Sequence, residues 1–398
     1  MLIQVLALGL TQTLAWAAST YLIAILAAPV ARDLGIATST AFGAFSVALV
    51  VMGLTGPSAG RAIDRWGGRG VLVFSNVVLA VGLVALGFAS SVITLFVAWS
   101  ILGFGMALGL YEAAFATLVR LHGTAARGPI TGITLIAGFA STVGWPVTTL
   151  LTHEFGWRAA CFIWAASQIV ICLPINLALI PETAPHRKDA STHAEDESEE
   201  IPLASKRTWG NYWRAFYLLA VFGATTAFVT SAMAAHLPGL LLAVGTTSVA
   251  ALTASALLGP AQVASRLVEF LAARRFKFHP LLTARLATAF HPIGATMLAL
   301  LGGPAAAASL FAMLHGAGNG MITIAKGTLP LAIFGPVGYG HRQGLLSMMG
   351  RGMQAIAPYT FGLVMEAQGP RMALGVSIAL SLVALGALIA LHAAPDGQ

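Results

Sequence analysis

Charge is what this sequence lacks most. Only 9% of its 398 residues are Asp, Glu, Lys or Arg, against roughly 25% in an average soluble domain. Twenty-one basic and fourteen acidic side chains are too few to cover a water-soluble surface at this length, so a soluble globular fold is excluded. Cysteine is nearly absent. Cys161 and Cys172 stand eleven residues apart in one apolar stretch, a spacing of about 16 Å along a helix and far beyond the roughly 7 Å between Cα atoms that a disulfide tolerates. Both read as core residues, which excludes a redox pair or a thiolate metal site. A Gly-x4-Gly-Lys-Ser/Thr phosphate loop is missing, so the sequence does not support ATP as the energy source. Nucleophile–base pairs and metal-ligand spacings are also missing, so neither an enzyme nor a metal or cofactor is expected.

What is present is apolar: 58% hydrophobic residues and 43 glycines, the composition of helices packed in lipid. An integral membrane protein follows. About 20 residues cross the hydrocarbon layer, and twelve apolar segments are long enough, near 3–29, 39–60, 71–89, 92–119, 128–151, 157–180, 211–237, 247–272, 280–301, 305–334, 344–366 and 371–392. They are continuous and do not alternate, which predicts helices and not a barrel. The first segment lacks a basic start and exceeds a signal-peptide core in length, so it is expected to stay as a span. Fourteen of the 21 basic residues, among them Arg61, Arg65, Arg69, Arg127, Arg274 and Arg275, fall in loops after even-numbered segments or at the adjoining helix ends. Three (Arg32, Arg158, Arg371) fall on the other side, and Arg266, Arg285, Lys326 and Arg351 lie inside segments. The bias places both termini in the cytoplasm of a cell with a cytoplasmic (inner) membrane. The formal charge of +7 therefore reports topology, and the partners expected are lipid and a small solute, with no nucleic acid. A monomer is expected.

The one hydrophilic stretch, residues 181–208, holds seven of the fourteen acidic residues, including the run Glu195 to Glu200. It reads as a cytoplasmic acidic linker that cannot form a core. It divides the chain into residues 1–180 and 209–398, a bundle of six helices on each side. The halves echo one another. Gly56-Pro57 with Arg61 and Asp64 recurs as Gly259-Pro260 with Arg266 and Glu269; Gly103-Phe104-Gly105 recurs as Gly316-Ala317-Gly318; Thr131 to Gly138 resembles Gln343 to Gly350. The offsets run from 203 to 213, as expected for a duplicated six-helix unit. Two parallel repeats imply a solute site at their interface near the membrane midplane, exposed to each side in turn.

The stretch Gly60-Arg61-Ala62-Ile63-Asp64-Arg65-Trp66-Gly67-Gly68-Arg69 resembles the signature loop of the major facilitator superfamily. With the twelve spans, the central linker and the repeat, the resemblance covers the whole chain. It implies an all-α membrane fold of two six-helix bundles and a gating motif at Gly60, Asp64, Arg65, Gly67 and Arg69 that clamps neighbouring helices on the cytoplasmic side. The corresponding place in the second half is occupied by Ala273-Arg274-Arg275 and lacks the aspartate. Proton-driven drug antiporters of this superfamily carry an arginine where Trp99 stands, and their helix 5 motif survives only as Gly144-Trp145-Pro146.

A charge at mid-bilayer costs about 2.5–3.5 kcal/mol on insertion scales, which makes each intramembrane charge a functional candidate. Ser265-Arg266-Leu267-Val268-Glu269 resembles the helix 8 segment of monocarboxylate and oxalate/formate porters, which implies that Arg266 binds a carboxylate. The alternative is an Arg266–Glu269 pair on one helix face. Arg351, between Gly350 and Gly352, stands within a residue of the lysine of the oxalate porters, and two guanidiniums can grip one carboxylate bidentately. Glu112 and Lys326 occupy nearly equivalent repeat positions. Glu112 is the candidate for proton coupling, and a Glu112–Lys326 salt bridge is the structural alternative. Lys326 is also a candidate third positive group for the anion, and Asn319, a further candidate contact, and Thr323 share its face. Gln12, Trp16, Tyr21 and Tyr111 are candidates to line the cavity. His236 is expected to mark the outer end of the seventh helix; His291 and His315 carry no assignment. The reading is a secondary transporter working by alternating access on a small organic anion, a carboxylate, with a proton. The competing readings are efflux of amphipathic drugs or metabolites and a sensor or scaffold using the linker.

Overall fold

The computed structural model describes residues 1–182, 209–276 and 279–391, so the linker expected over 181–208 lies outside the described residues apart from its first two. Twelve helical segments carry the chain back and forth. The first, α1, is two helices, Leu2–Ala17 and Leu22–Leu34. Then come α2 (Thr38–Trp66), α3 (Gly68–Gly87) and α4, which is Val92–Gly109 followed by Tyr111–His122. The fifth, α5, begins as Arg127–Ile136 and runs to residue 155, where Gly156 at φ 82° turns the chain into α6, residues 157–179. The second half holds α7 (Trp209–Ala243), α8 (Ser248–Ala256 and Leu258–Phe276), α9 (Pro280–Leu301), α10 (Ala305–Phe334), α11 (Tyr339–Gln368) and α12 (Pro370–Ala390). An even number of crossings returns the chain to the side it left, called here the terminal face.

Among the described residues, eight helical stretches are long and apolar enough to cross a membrane, the one over Val92–Leu179 containing α4, α5 and α6. The helices α10 and α11 fall outside that set because they carry His315, Asn319 and Lys326, and Arg342, Gln343 and Arg351. Prolines inside helices are tolerated in lipid when neighbours satisfy the carbonyl four residues back, and two cases show how. Pro358 in α11 cannot donate to the Gln354 carbonyl, which accepts instead from the Ser231 hydroxyl of α7 at 2.9 Å. Pro330 in α10 leaves the Lys326 carbonyl free, and Gln343 Nε2 of α11 donates to it at 3.3 Å. The same tolerance corrects one expectation. The seventh helix does not end near His236; it passes through Pro238 to Ala243, and His236 Nε2 meets the Pro358 carbonyl at 2.7 Å.

The internal repeat is visible in packing. A Cβ at Gly103 of α4 would stand 2.3 Å from the Ala48 carbonyl oxygen of α2, and one at Gly316 of α10 would stand 2.5 Å from the Leu258 carbonyl oxygen of α8. Two residues on, Gly105 is pressed against Leu79 of α3 and Gly318 against Ala287 of α9. Each glycine pair therefore lets one central helix approach two neighbours, in the same order in both halves.

Close approaches between the halves lie from the terminal face to the middle of the helices. Along α2 and α11, a Cβ at Gly60 would fall 1.9 Å from the Gly340 carbonyl oxygen, and one at Gly344 would fall 2.4 Å from the Gly56 carbonyl oxygen. Between α4 and α10, Phe115 packs on Gly327. Along the later half of α5 runs a shallow, largely open cleft of about 710 Å³, lined by Ser141, Thr142, Trp145, Pro146, Thr149, Leu150 and His153. On α5 the opposite face, Gly144 and Thr148, is buried, with Gly144 against Ala17 of α1 and Thr148 bonded to Trp164 of α6. The tightest backbone approaches between the halves therefore lie on the side of the terminal face.

Candidate functional site

The site begins with a break in α4. Leu110 is extended (φ −85°, ψ −166°) between the two helices of this segment. The carbonyl of Gly109 is satisfied from α1, where Gln12 Nε2 donates to it at 2.6 Å. Gln12 is thus buried at the break and braces it. The break places Glu112 in the first turn of a new helix, where unpaired amides and the helix dipole favour a negative charge. A single unwound residue therefore makes a mid-membrane carboxylate sustainable.

The partner of Glu112 comes from the other half. Arg351 Nη2 of α11 donates to Glu112 Oε1 at 2.7 Å, and Nη1 donates to Gln354 Oε1 at 2.8 Å. The side chains are 11% and 20% exposed, so the pair is largely buried. Glu112 Oε2 has no hydrogen-bond partner. Lys326 of α10 is within electrostatic reach of both Arg351 and Glu112. The ion pair that forms is therefore Glu112–Arg351, and the Glu112–Lys326 bridge considered from sequence does not form. Among the described residues no hydrogen bond or salt bridge engages the Lys326 ammonium. Asn319, two turns away, accepts from the Thr230 hydroxyl of α7 at 3.0 Å.

Arg266 is buried between the halves. Its Nη1 donates to the Thr134 carbonyl of α5 at 2.9 Å, Nε to the Gly320 carbonyl of α10 at 3.3 Å, and Nη2 to the Thr323 hydroxyl at 3.5 Å. All three nitrogens are engaged by protein, and Gly138 leaves the room for them, since a Cβ there would lie 2.7 Å from Nη1. The Arg266–Glu269 pair considered from sequence is also not formed. Glu269 reaches across to Arg127 at the start of α5, 3.5 Å away. Arg266 and Glu269 point to different partners because α5, packed along α8, offers a carbonyl to one and a guanidinium to the other.

An aromatic wall faces these cations. Trp16 and Tyr21 of α1, Tyr111 of α4 and Trp145 of α5 form a chain of ring contacts: Trp16–Tyr111 centroids are 4.9 Å apart, Trp16–Tyr21 6.0 Å, and Tyr21–Trp145 5.8 Å edge to face. Phe115 stacks behind Tyr111 at 5.3 Å. Arg266 is within electrostatic reach of Tyr21 and Tyr111. The Trp16 indole N–H is buried without a partner.

At the terminal face, the residues expected to form the gating motif differ in what they touch. Asp64 caps α11: its two carboxylate oxygens accept from the amides of Gly340 at 2.9 Å and His341 at 2.8 Å. His341 Nδ1 also lies 3.1 Å from the Pro57 carbonyl. Gly60 allows the contact sterically, and Gly67, at φ 88°, turns the chain out of α2. Arg65 is exposed and lies over Trp66, while Arg69 pairs with Glu182 of its own half. Among the described residues of this motif, only the Asp64 side chain hydrogen-bonds between the halves.

Three clusters were not legible in the sequence. The Arg127–Glu269 pair joins residues 142 positions apart. His291 of α9 and His315 of α10 meet through their Nδ1 atoms at 2.7 Å, with His291 Nε2 at 3.1 Å from the Ser377 hydroxyl of α12. Asn76, Gln168 and Asn176 bridge α3 and α6. Each needs knowledge of which helix faces meet, and the only advance signal was a polar residue in an apolar run.

Comparison with known proteins agrees with this architecture. The Major Facilitator Superfamily family matches residues 8–358. Human monocarboxylate transporter 11 is 28% identical over 166 residues and human monocarboxylate transporter 2 is 26% identical over 171, each alignment covering 41% of this chain and 35% of the relative. Chicken (Gallus gallus) monocarboxylate transporter 4 is 23% identical over 193 residues, 48% of this chain and 40% of the relative. The chain thus spans 35–40% of the length of the curated relatives it matches. Among solved structures, the human organic anion transporter MFSD10 superposes with a TM-score of 0.75 at 16% identity, covering 97% of this chain and 99% of that one.

Proposed function

The chain belongs to the major facilitator superfamily, and on that footing we propose that this membrane transporter carries a small organic anion, a monocarboxylate, together with a proton by alternating access. The observation that carries the reading is the Glu112–Arg351 ion pair across the two halves, beside a Lys326 ammonium that no protein acceptor engages. The cargo carboxylate enters from the open cleft and is received by Lys326 and Arg351. Arg266 stands behind them and ties α8 and α10 to α5. Asn319, Tyr111 and Trp16 complete the wall. The likeness to the monocarboxylate transporters and to the organic anion transporter of the same fold supports an anionic cargo.

The proton follows from charge. Arg351 Nη2 already holds one carboxylate, that of Glu112. When the cargo takes its place, Glu112 would remain as a buried unpaired anion, which is strongly unfavourable. A proton on Glu112 removes that penalty, so one proton and one anion load together and the charge of the centre is unchanged. Movement of the loaded carrier then requires release of the Asp64 cap on α11, the Arg127–Glu269 pair and the Arg266–Thr134 bond, all on the terminal side. The distribution of basic residues supports a reading in which that side faces the cytoplasm of an inner membrane and the protein acts as a monomer.

The test is uptake of radiolabelled monocarboxylates into liposomes holding the purified protein, with acid outside. Saturable uptake is expected, and Lys326→Ala should lower its kcat/KM by about 10- to 100-fold. Absence of uptake for every carboxylate tried, or undiminished uptake in Lys326→Ala, would overturn the reading.

A further inference from the structure

We infer that the preferred cargo is an aromatic monocarboxylate, with its ring held by the Trp16–Tyr21–Tyr111–Trp145 wall and its carboxylate by Lys326 and Arg351. The inference rests on the anion reading above and narrows it to a class.

Three observations carry it. First, the rings form a continuous path. Trp145 lines the cleft of about 710 Å³, and from it the contacts step through Tyr21 and Trp16 to Tyr111, the residue next to Glu112. The path thus runs from the entrance to the ion pair. Second, Trp16, Tyr21 and Tyr111 are only partly buried and Trp145 is 45% exposed, whereas the large aromatic Trp99 of the same half is packed away in the core. The wall therefore offers ring faces and edges that the protein has not used for its own packing. An aryl group gains the edge-to-face and offset contacts with such a wall that an alkyl chain of the same area does not. Third, the facing wall decides the charge of the cargo. Aromatic cages also suit organic cations, but here the opposite wall carries Arg266, Lys326 and Arg351, with Glu112 as the sole acid recorded in contact with them. A cation is repelled, and an anion is drawn to the end of the ring path. The unpartnered Trp16 indole N–H supplies a donor beside the rings for an oxygen of the cargo.

The short carboxylates lack the ring and would meet only the cationic end. With a single ring contact worth about a factor of ten, the aryl acid should exceed its alkyl counterpart by one to two orders of magnitude.

The experiment compares kcat/KM for propanoate and 3-phenylpropanoate in liposomes, for the wild type and for Trp16→Leu, Tyr111→Leu and Trp16→Phe. The wild type should favour the aryl acid by at least tenfold, and each leucine variant should cut that ratio about tenfold. Trp16→Phe keeps a ring and should keep most of the preference. Thermal stabilisation of each purified variant by 3-phenylpropanoate, relative to propanoate, gives the same ratio without transport, and a variant that does not fold is replaced by its phenylalanine counterpart. Equal handling of the two acids by the wild type, or an unchanged ratio in both leucine variants, overturns the aromatic assignment and leaves the anion reading standing. Transport of neither acid overturns both.

Discussion

Replacement of Asp64 by alanine should open the terminal face. The Asp64 carboxylate accepts two amide N–H groups at the start of α11, at 2.8 and 2.9 Å. Hydrogen bonds to a charged group are worth about 1.5–3 kcal/mol each, and a carboxylate at a helix N-terminus adds about 0.3–1 kcal/mol. Both partners regain water when the halves part, so the lower ends apply, and the closed state should lose about 2–4 kcal/mol. At 1.4 kcal/mol per decade, the closed-to-open ratio falls by roughly 30- to 1,000-fold. Spin labels at Trp66→Cys and Val337→Cys, both exposed at the terminal face, report the separation by pulsed dipolar spectroscopy. The native Cys161 and Cys172 are buried and stay unlabelled. A single short distance is expected before the substitution and a populated longer one after it. Asp64→Asn, which keeps one acceptor oxygen, should fall between. If Asp64→Ala leaves the distance distribution unchanged, the reasoning about this cap is wrong.

Other consequences follow from the same geometry. Lys326→Ala should weaken carboxylate binding by about 10- to 100-fold, the worth of one charged contact, measured as loss of ligand-induced thermal stabilisation. Gly103→Val and Gly316→Val force a side chain within about 2.5 Å of a neighbouring backbone in each half and should both lower the melting temperature sharply; Gly375→Val, which meets nothing within 4 Å, should not. Ser231→Ala leaves the Gln354 carbonyl without its donor and should cost about 1–3 kcal/mol of stability, visible as a lower midpoint in a thermal or denaturant melt.

The fold was legible because its determinants are local. Run length, the positions of Arg61, Arg65 and Arg69, and the paired glycines at Gly103 and Gly316 each constrain a helix without reference to its neighbours. Asp64 was legible for the same reason: an acid among glycines at a helix end needs amides to accept. The site was legible in its members and not in its pairings. Glu112 was picked out as a carboxylate in an apolar run, but its partner was set by the break at Leu110 and by the crossing of α4 with α11, neither of which periodicity reveals. Arg266 and Glu269 lie three apart and invite a local pair, yet α5 offers each a better partner from across the interface. His291 and His315 meet only because α9 and α10 pack face to face.

The most direct measurement follows cargo and protons together. In liposomes loaded with a pH-sensitive dye, labelled 3-phenylpropanoate should enter with one proton per carboxylate and accumulate against its gradient when the outside is acid. Glu112→Gln should retain exchange of carboxylate for carboxylate and lose accumulation, because Arg351 is then permanently free and no proton is required. Undiminished, gradient-driven accumulation by Glu112→Gln would contradict the assignment of Glu112 as the group that trades its arginine for a proton.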